Sequence, residues 1–179
     1  MIKGGVGGAN TNKTGLKFEK DTDLKESFQK IEGYSVKDDE IYFNNKKVAE
    51  LFQKNKLYKN LLEKHNIKWE ERASSKLLPD EAILILINNT LFIIEKKFQF
   101  GSGSVDEKLQ TCDFKKKKYE KLLKGTDIQV KFIYILNDWF NQERNKDTFD
   151  YIKSVGCEYY FNNLPLKVLG LPDLSKQDN

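Results

Sequence analysis

Residues 76–111 read KLLPDEAILILINNTLFIIEKKFQFGSGSVDEKLQT, and the order of apolar and charged residues there decides the fold. Two runs rich in Ile and Leu, 82–87 and 91–94, flank Asn88-Asn89-Thr90. Each run is too short for a helix and the polar trio between them is turn chemistry, so the pattern predicts an antiparallel hairpin. Charge returns at both outer ends: Asp80 stands before the first run, and Glu95, Lys96 and Lys97 close the second. Side chains alternate along a strand, which puts Glu95, Lys97 and Gln99 on one face and Lys96 and Phe98 on the other. Pairing through the turn draws Asp80 toward Glu95. Because Asp80 lies eight positions before Asn88 and Glu95 five after Thr90, a bulge or bend is expected to bring them level.

Beyond GSGS, the spacing of Val105, Leu109, Cys112, Tyr119, Leu122 and Leu123 predicts one long helix ended by Gly125. VKFIYIL at 130–136 reads as a strand, 145–155 as a helix with Phe149 and Ile152 inward, and 158–161 as a last short strand. The tail, with Pro165 and Pro172, reads as irregular. Toward the N-terminus, Leu24, Phe28 and Ile31 mark a helix face ending near Gly33, with its start open between Thr14 and Thr22. Segments 34–43 and 46–48 suggest a hairpin around Asn44-Asn45. Val48, Leu51, Phe52, Leu57, Tyr58, Leu61 and Leu62 suggest a helix running to about His65. The expected fold class is α/β (mixed α+β): a central mixed β-sheet flanked by helices, with residues 1–179 as a single domain.

Composition narrows the function classes. A 39% hydrophobic fraction in 179 residues supports a packed core. Cys112 and Cys157 belong to no CxxC or Cys/His cluster, which argues against a zinc site and a disulfide framework and for a reducing compartment. The first ten residues lack an apolar segment of signal-peptide length, and Asn88, Asn89 and Thr90 interrupt the most apolar run. A soluble, cytoplasmic protein with no membrane partner is expected. A net charge of +4 leans only slightly toward a polyanionic partner.

Two carboxylates and a lysine at one sheet edge suit Mg²⁺, a hard cation that takes oxygen ligands and keeps waters or phosphate oxygens in its shell. Such an ion neutralises charge on a phosphate and lowers the pKa of bound water; a neighbouring lysine orients that water and stabilises the transition state. Pro79-Asp80, fourteen residues, then Glu95-Lys96-Lys97 resembles the PD-(D/E)XK nuclease superfamily, which includes many type II restriction endonucleases. The opening GGANTNKTGL and the phrase GSVDEKLQT are similar to segments of that group, so the resemblance spans roughly residues 4–20 and 77–136.

The resemblance implies a restriction-endonuclease-like fold in which Asp80, Glu95 and the main-chain carbonyl of Lys96 hold Mg²⁺ and Lys97 activates the attacking water. Glu19 would supply a further carboxylate beside the metal. Lys108, Gln110, Lys115, Gln99, Asn10 and Lys13 are the candidate DNA contacts. Other acid-x-lysine triplets, Asp23-Leu24-Lys25, Asp106-Glu107-Lys108 and Asp113-Phe114-Lys115, lie in amphipathic helical contexts and read as solvated faces. The run from Lys115 to Lys118, with Lys121 and Lys124, reads either as a phosphate-binding stripe or as a charged helix face. His65 reads as structural or exposed and Trp69 as packing; Trp139 reads as packing or as part of a base-reading loop.

The expectation is a type II restriction endonuclease, a Mg²⁺-dependent hydrolase making sequence-specific cuts in double-stranded DNA. A homodimer on a palindromic site would supply two centres. A structure-selective repair or junction-resolving nuclease, or a non-catalytic DNA-binding module, stays open as an alternative.

Overall fold

The computed structural model describes residues 15–18, 22–100 and 105–174. At its centre is a seven-stranded mixed sheet in chain order: β2 (Tyr34–Lys37), β3 (Glu40–Phe43), β4 (Lys46–Phe52), β5 (Glu81–Ile85), β6 (Thr90–Lys97), β7 (Gln129–Leu136) and β8 (Glu158–Phe161). Neighbours from β2 to β6 pair antiparallel, while β6–β7 and β7–β8 pair parallel. Each parallel step needs a crossover, and helices supply it: α2 (Val105–Leu109) and α3 (Cys112–Leu122) before β7, then α4 (Lys146–Ser154) before β8. A separate two-stranded ribbon pairs β1 (Gly15–Lys17) with β9 (Asn163–Pro165).

Both sheet faces are covered, which explains why β5, β6 and β7 read as nearly continuous apolar runs. Ala82, Leu84, Leu91, Ile93, Phe132, Tyr134 and Leu136 share one core with α3, α4 and a wide π-type helical segment, Leu57–Leu62. Ile83, Ile85, Phe92, Ile94, Ile133 and Ile135 share the other with α1 (Leu24–Gln29), α5 (Leu166–Leu169) and the β1–β9 ribbon. The first is here called the near face and the second the far face.

Several expectations change. Strand β4 runs through Phe52, so Val48, Leu51 and Phe52 are not helical; Ala49 and Leu51 face the far core and Phe52 the near one, a period of two. The helix begins only after a turn at Lys54, whose φ is 49°. Segment 34–43 is two strands, because Asp38 adopts a left-handed φ of 53° between them. Asn44 and Asn45, at φ 47° and 65°, make the expected tight hairpin turn. The long helix after GSGS is broken at Gln110-Thr111 into α2 and α3. The tail is not irregular throughout: Asn163–Pro165 finds its partner in β1, a pairing no local pattern announces.

The central hairpin needs no bulge. Its turn is four residues, 86–89, with Asn89 left-handed at 50°. Ile85 faces Thr90 and Glu81 faces Ile94, so the next step outward puts Asp80 level with Glu95. Leu86 and Ile87, counted with the apolar run, belong to the turn and are exposed there.

Candidate metal and phosphate site

Alternation places two charge clusters back to back at the end of the β5–β6 hairpin. On the near face, Glu95 and Lys97 follow Leu91 and Ile93 along β6. Lys97 Nζ lies 3.1 Å from Glu95 Oε2 and 3.6 Å from Asp80 Oδ2, so both carboxylates converge on one ammonium. Lys96 N–H donates to Asp80 Oδ2 at 3.2 Å and holds that carboxylate against the strand end. Glu95 is 4% exposed, whereas Asp80 opens to solvent.

The approach to Asp80 is anchored from the near core. Tyr119 Oη donates to Leu77 O at 2.8 Å, and Tyr58 Oη accepts from Leu77 N–H at 2.8 Å. Pro79 is buried, and its carbonyl accepts from Lys54 N–H. Burial, followed by the charges of Tyr58, Glu95 and Asp80, raises the pKa of Tyr119, so its phenol stays a donor. From α3, Lys115 Nζ donates to Glu95 Oε2 at 2.5 Å. The helix that presents Lys115 buries Cys112, Tyr119 and Leu122, and Arg72 ties down its last turn by donating to Leu122 O and Lys124 O.

On the far face, Glu81 follows Ile83 and Ile85 and is only 2% exposed. Its Oε1 accepts from Leu24 N–H at 2.7 Å and from Gln53 Nε2 at 3.3 Å. Its Oε2 has Lys96 Nζ at 3.3 Å, an ion-pair distance without hydrogen-bond alignment. Burial, only partly offset by Leu24 N–H, Lys96 and Gln53, raises the Glu81 pKa. Lys96 Nζ also donates to Thr22 O at 2.7 Å and lies 5.6 Å from the centre of the Phe18 ring. A cleft of about 500 Å³ opens here, lined by Asp23, Gln53, Lys54, Glu81, Lys96 and Phe98, and it shares Asp80 with the near-face cluster. The buried Glu81 escaped the sequence reading, although alternation from Ile83 and Ile85 marks it as a carboxylate on a core face.

The remaining sequence candidates scatter. Lys108 and Gln110 are exposed at the end of α2, and Lys108 lends its carbonyl to Tyr134 Oη at 3.2 Å. Gln99 lies beyond β6 with its main chain held by the Asn137 side chain. Glu19, Asn10 and Lys13 lie outside the described residues. The lysine run does not form one stripe: Lys116 reaches Gly156 O, Lys117 pairs with Asp113 and Lys118 with Ser75, each in a different direction. Trp139 stacks edge-on against Phe140 with Arg144 over its ring.

The donor set suits a hard divalent cation. Asp80 and Glu95 already share one cation, the Lys97 ammonium, so the separation of their nearest oxygens cannot exceed the sum of those two contacts. Among the described residues no group of three or more Asp, Glu, His or Cys side chains surrounds one point. Carboxylates from two residues, completed by a main-chain carbonyl, waters and phosphate oxygens, are a coordination habit of Mg²⁺. No known protein family, curated protein or solved structure matches the chain. Among the described residues, no helix is long and apolar enough to cross a membrane.

Proposed function

We propose that the chain is a Mg²⁺-dependent DNA endonuclease of the PD-(D/E)XK type, acting as a type II restriction enzyme on double-stranded DNA. The observation that carries the reading is the convergence of Asp80 and Glu95 on the Lys97 ammonium at the open end of the β5–β6 hairpin. The mixed sheet flanked by helices supports a restriction-endonuclease-like fold.

In this reading Asp80, Glu95 and the Lys96 carbonyl would hold the ion, which when bound neutralises phosphate charge and acidifies a water. Lys97 orients the attacking water and donates to the phosphoryl oxygen as charge builds there. The Lys96 N–H bond keeps Asp80 turned toward the centre, and the near core holds Glu95 in one rotamer without the cost of ordering it at each turnover. Two copies on a palindromic site would cut both strands.

Incubation with unmethylated plasmid and Mg²⁺ tests this. Discrete fragments with uniform ends are expected, and Asp80→Ala should abolish them while leaving DNA binding largely intact. Cleavage confined to branched or mismatched DNA would replace the restriction reading by a repair or junction nuclease. Unchanged cutting by Asp80→Ala would remove the site assignment.

A further inference from the structure

Lys115 does something the nuclease reading does not ask of it. Its Nζ sits closer to Glu95 Oε2 than Lys97 does, 2.5 Å against 3.1 Å, on the same oxygen. Lys115 makes a hydrogen bond to that oxygen, whereas Lys97 holds it at ion-pair distance. Asp80, Glu95, Lys97 and Lys115 together carry two negative and two positive formal charges, so the quartet is neutral with no metal present. A dication added to it meets two ammoniums whose charge opposes its own.

Withdrawal of one amine relieves that repulsion, and the geometry says which. Lys97 belongs to β6 itself and touches both carboxylates. Lys115 reaches in from another element, α3, and among the described residues pairs with no carboxylate other than Glu95. Lys115 stands three residues after Cys112 and four before Tyr119, on the same side of α3 as those buried residues, but its own side chain is 20% exposed, so the amine lies at the rim of the core with a path to solvent.

We propose that Lys115 is an exchangeable counter-ion: it neutralises Glu95 while no divalent cation is bound, and transfers to a DNA phosphate oxygen when one binds. The inference rests on the metal-nuclease reading and adds to it a coupling between cation and DNA. A phosphate that draws Lys115 off Glu95 strengthens cation binding, and by linkage the cation strengthens DNA binding by the same factor.

Mn²⁺ binding to the full chain, followed by electron paramagnetic resonance with and without a short DNA duplex, tests this apart from cleavage. Without DNA, Lys115→Met should bind Mn²⁺ about tenfold more tightly than the unmodified chain. Any ammonium this close to the carboxylates opposes a dication, so the gain shows that Lys115 competes with the ion and the response to duplex shows that it transfers. Adding duplex should tighten Mn²⁺ binding to the unmodified chain and to Lys115→Arg, but not to Lys115→Met. Unchanged or weaker Mn²⁺ binding by a folded Lys115→Met would overturn the proposal, as would an unmodified chain whose Mn²⁺ affinity ignores DNA. Asp80→Ala separates the two levels. If it loses Mn²⁺ while Lys115→Met gains none, the counter-ion role falls and the metal reading stands; if it binds Mn²⁺ normally, the metal reading falls too.

Discussion

Replacing Glu81 by alanine removes three far-face interactions at once, to Leu24, Gln53 and Lys96, and the cost of the first and last can be worked from the structure. The Leu24 N–H, 2.7 Å from Glu81 Oε1, becomes a buried donor at a helix start with no acceptor, a loss of about 1–3 kcal/mol. Lys96 loses its carboxylate at 3.3 Å but keeps Thr22 O at 2.7 Å, so the penalty for an orphaned buried charge, about 3–5 kcal/mol when complete, applies only in part. Against these stands relief from holding a carboxylate in a site that raises its pKa. The net expectation is a loss of about 2–4 kcal/mol. Glu81→Gln keeps an acceptor for Leu24 N–H and should stay within about 1 kcal/mol of the natural chain.

Urea unfolding followed by tryptophan fluorescence reads both variants, with an unchanged slope required for the midpoint to report stability. The pH dependence gives a second reading. A carboxyl whose folded pKa is raised holds its proton longer when folded, so its contribution to stability is greatest at acid pH and declines as pH rises past the unfolded value of about 4.3. That decline should be missing in Glu81→Gln. Equal losses in the Ala and Gln variants, or an Ala variant within about 0.5 kcal/mol of the natural chain, would refute the reasoning.

Asp39 should behave in the opposite sense. Burial pushes its carboxyl up, but Lys25 and Lys56 together outweigh that and hold its pKa below the ordinary range. Its contribution is therefore present above the unfolded value of about 3.9 and lost as pH falls, and acid unfolding of Asp39→Asn should lack that component. Phe149 is buried against Tyr159 at a ring separation of 4.3 Å, so Phe149→Ala should cost about 3–5 kcal/mol, seen as a lowered urea midpoint. Arg72→Ala should loosen the last turn of α3, with faster amide hydrogen exchange at 119–124 and little change in β5 and β6.

The hairpin was legible because its evidence is local: buried strands too short for helices, turn residues between them, and charge at both ends. Asp80, Glu95 and Lys97 meet as the motif's spacing suggests, yet by a longer turn in place of a bulge. Hydropathy alone could not tell that Leu86 and Ile87 leave the strand, since an exposed turn residue can be apolar. Segment 48–52 was misread for a related reason: Val48, Leu51 and Phe52 fit a helical face, and only the neighbouring β3 and β5 decide for a strand. Non-local partners were hidden altogether. Lys115 reads as solvated or phosphate-bound until α3 is laid over β6, and the β1–β9 ribbon joins segments nearly a chain length apart.

That ribbon has a consequence for the order in which the molecule is made. Synthesis delivers β1 early, but its partner emerges only after β8, so the first strand waits through translation of the whole sheet. Phe18, the residue after that waiting strand, and Thr22, five positions past its end, meet the Lys96 amine. A nascent chain arrested before Asn163 would therefore leave the far-face anchor of Lys96 unfinished, and a strand made after the whole sheet is the one that lets β1 settle.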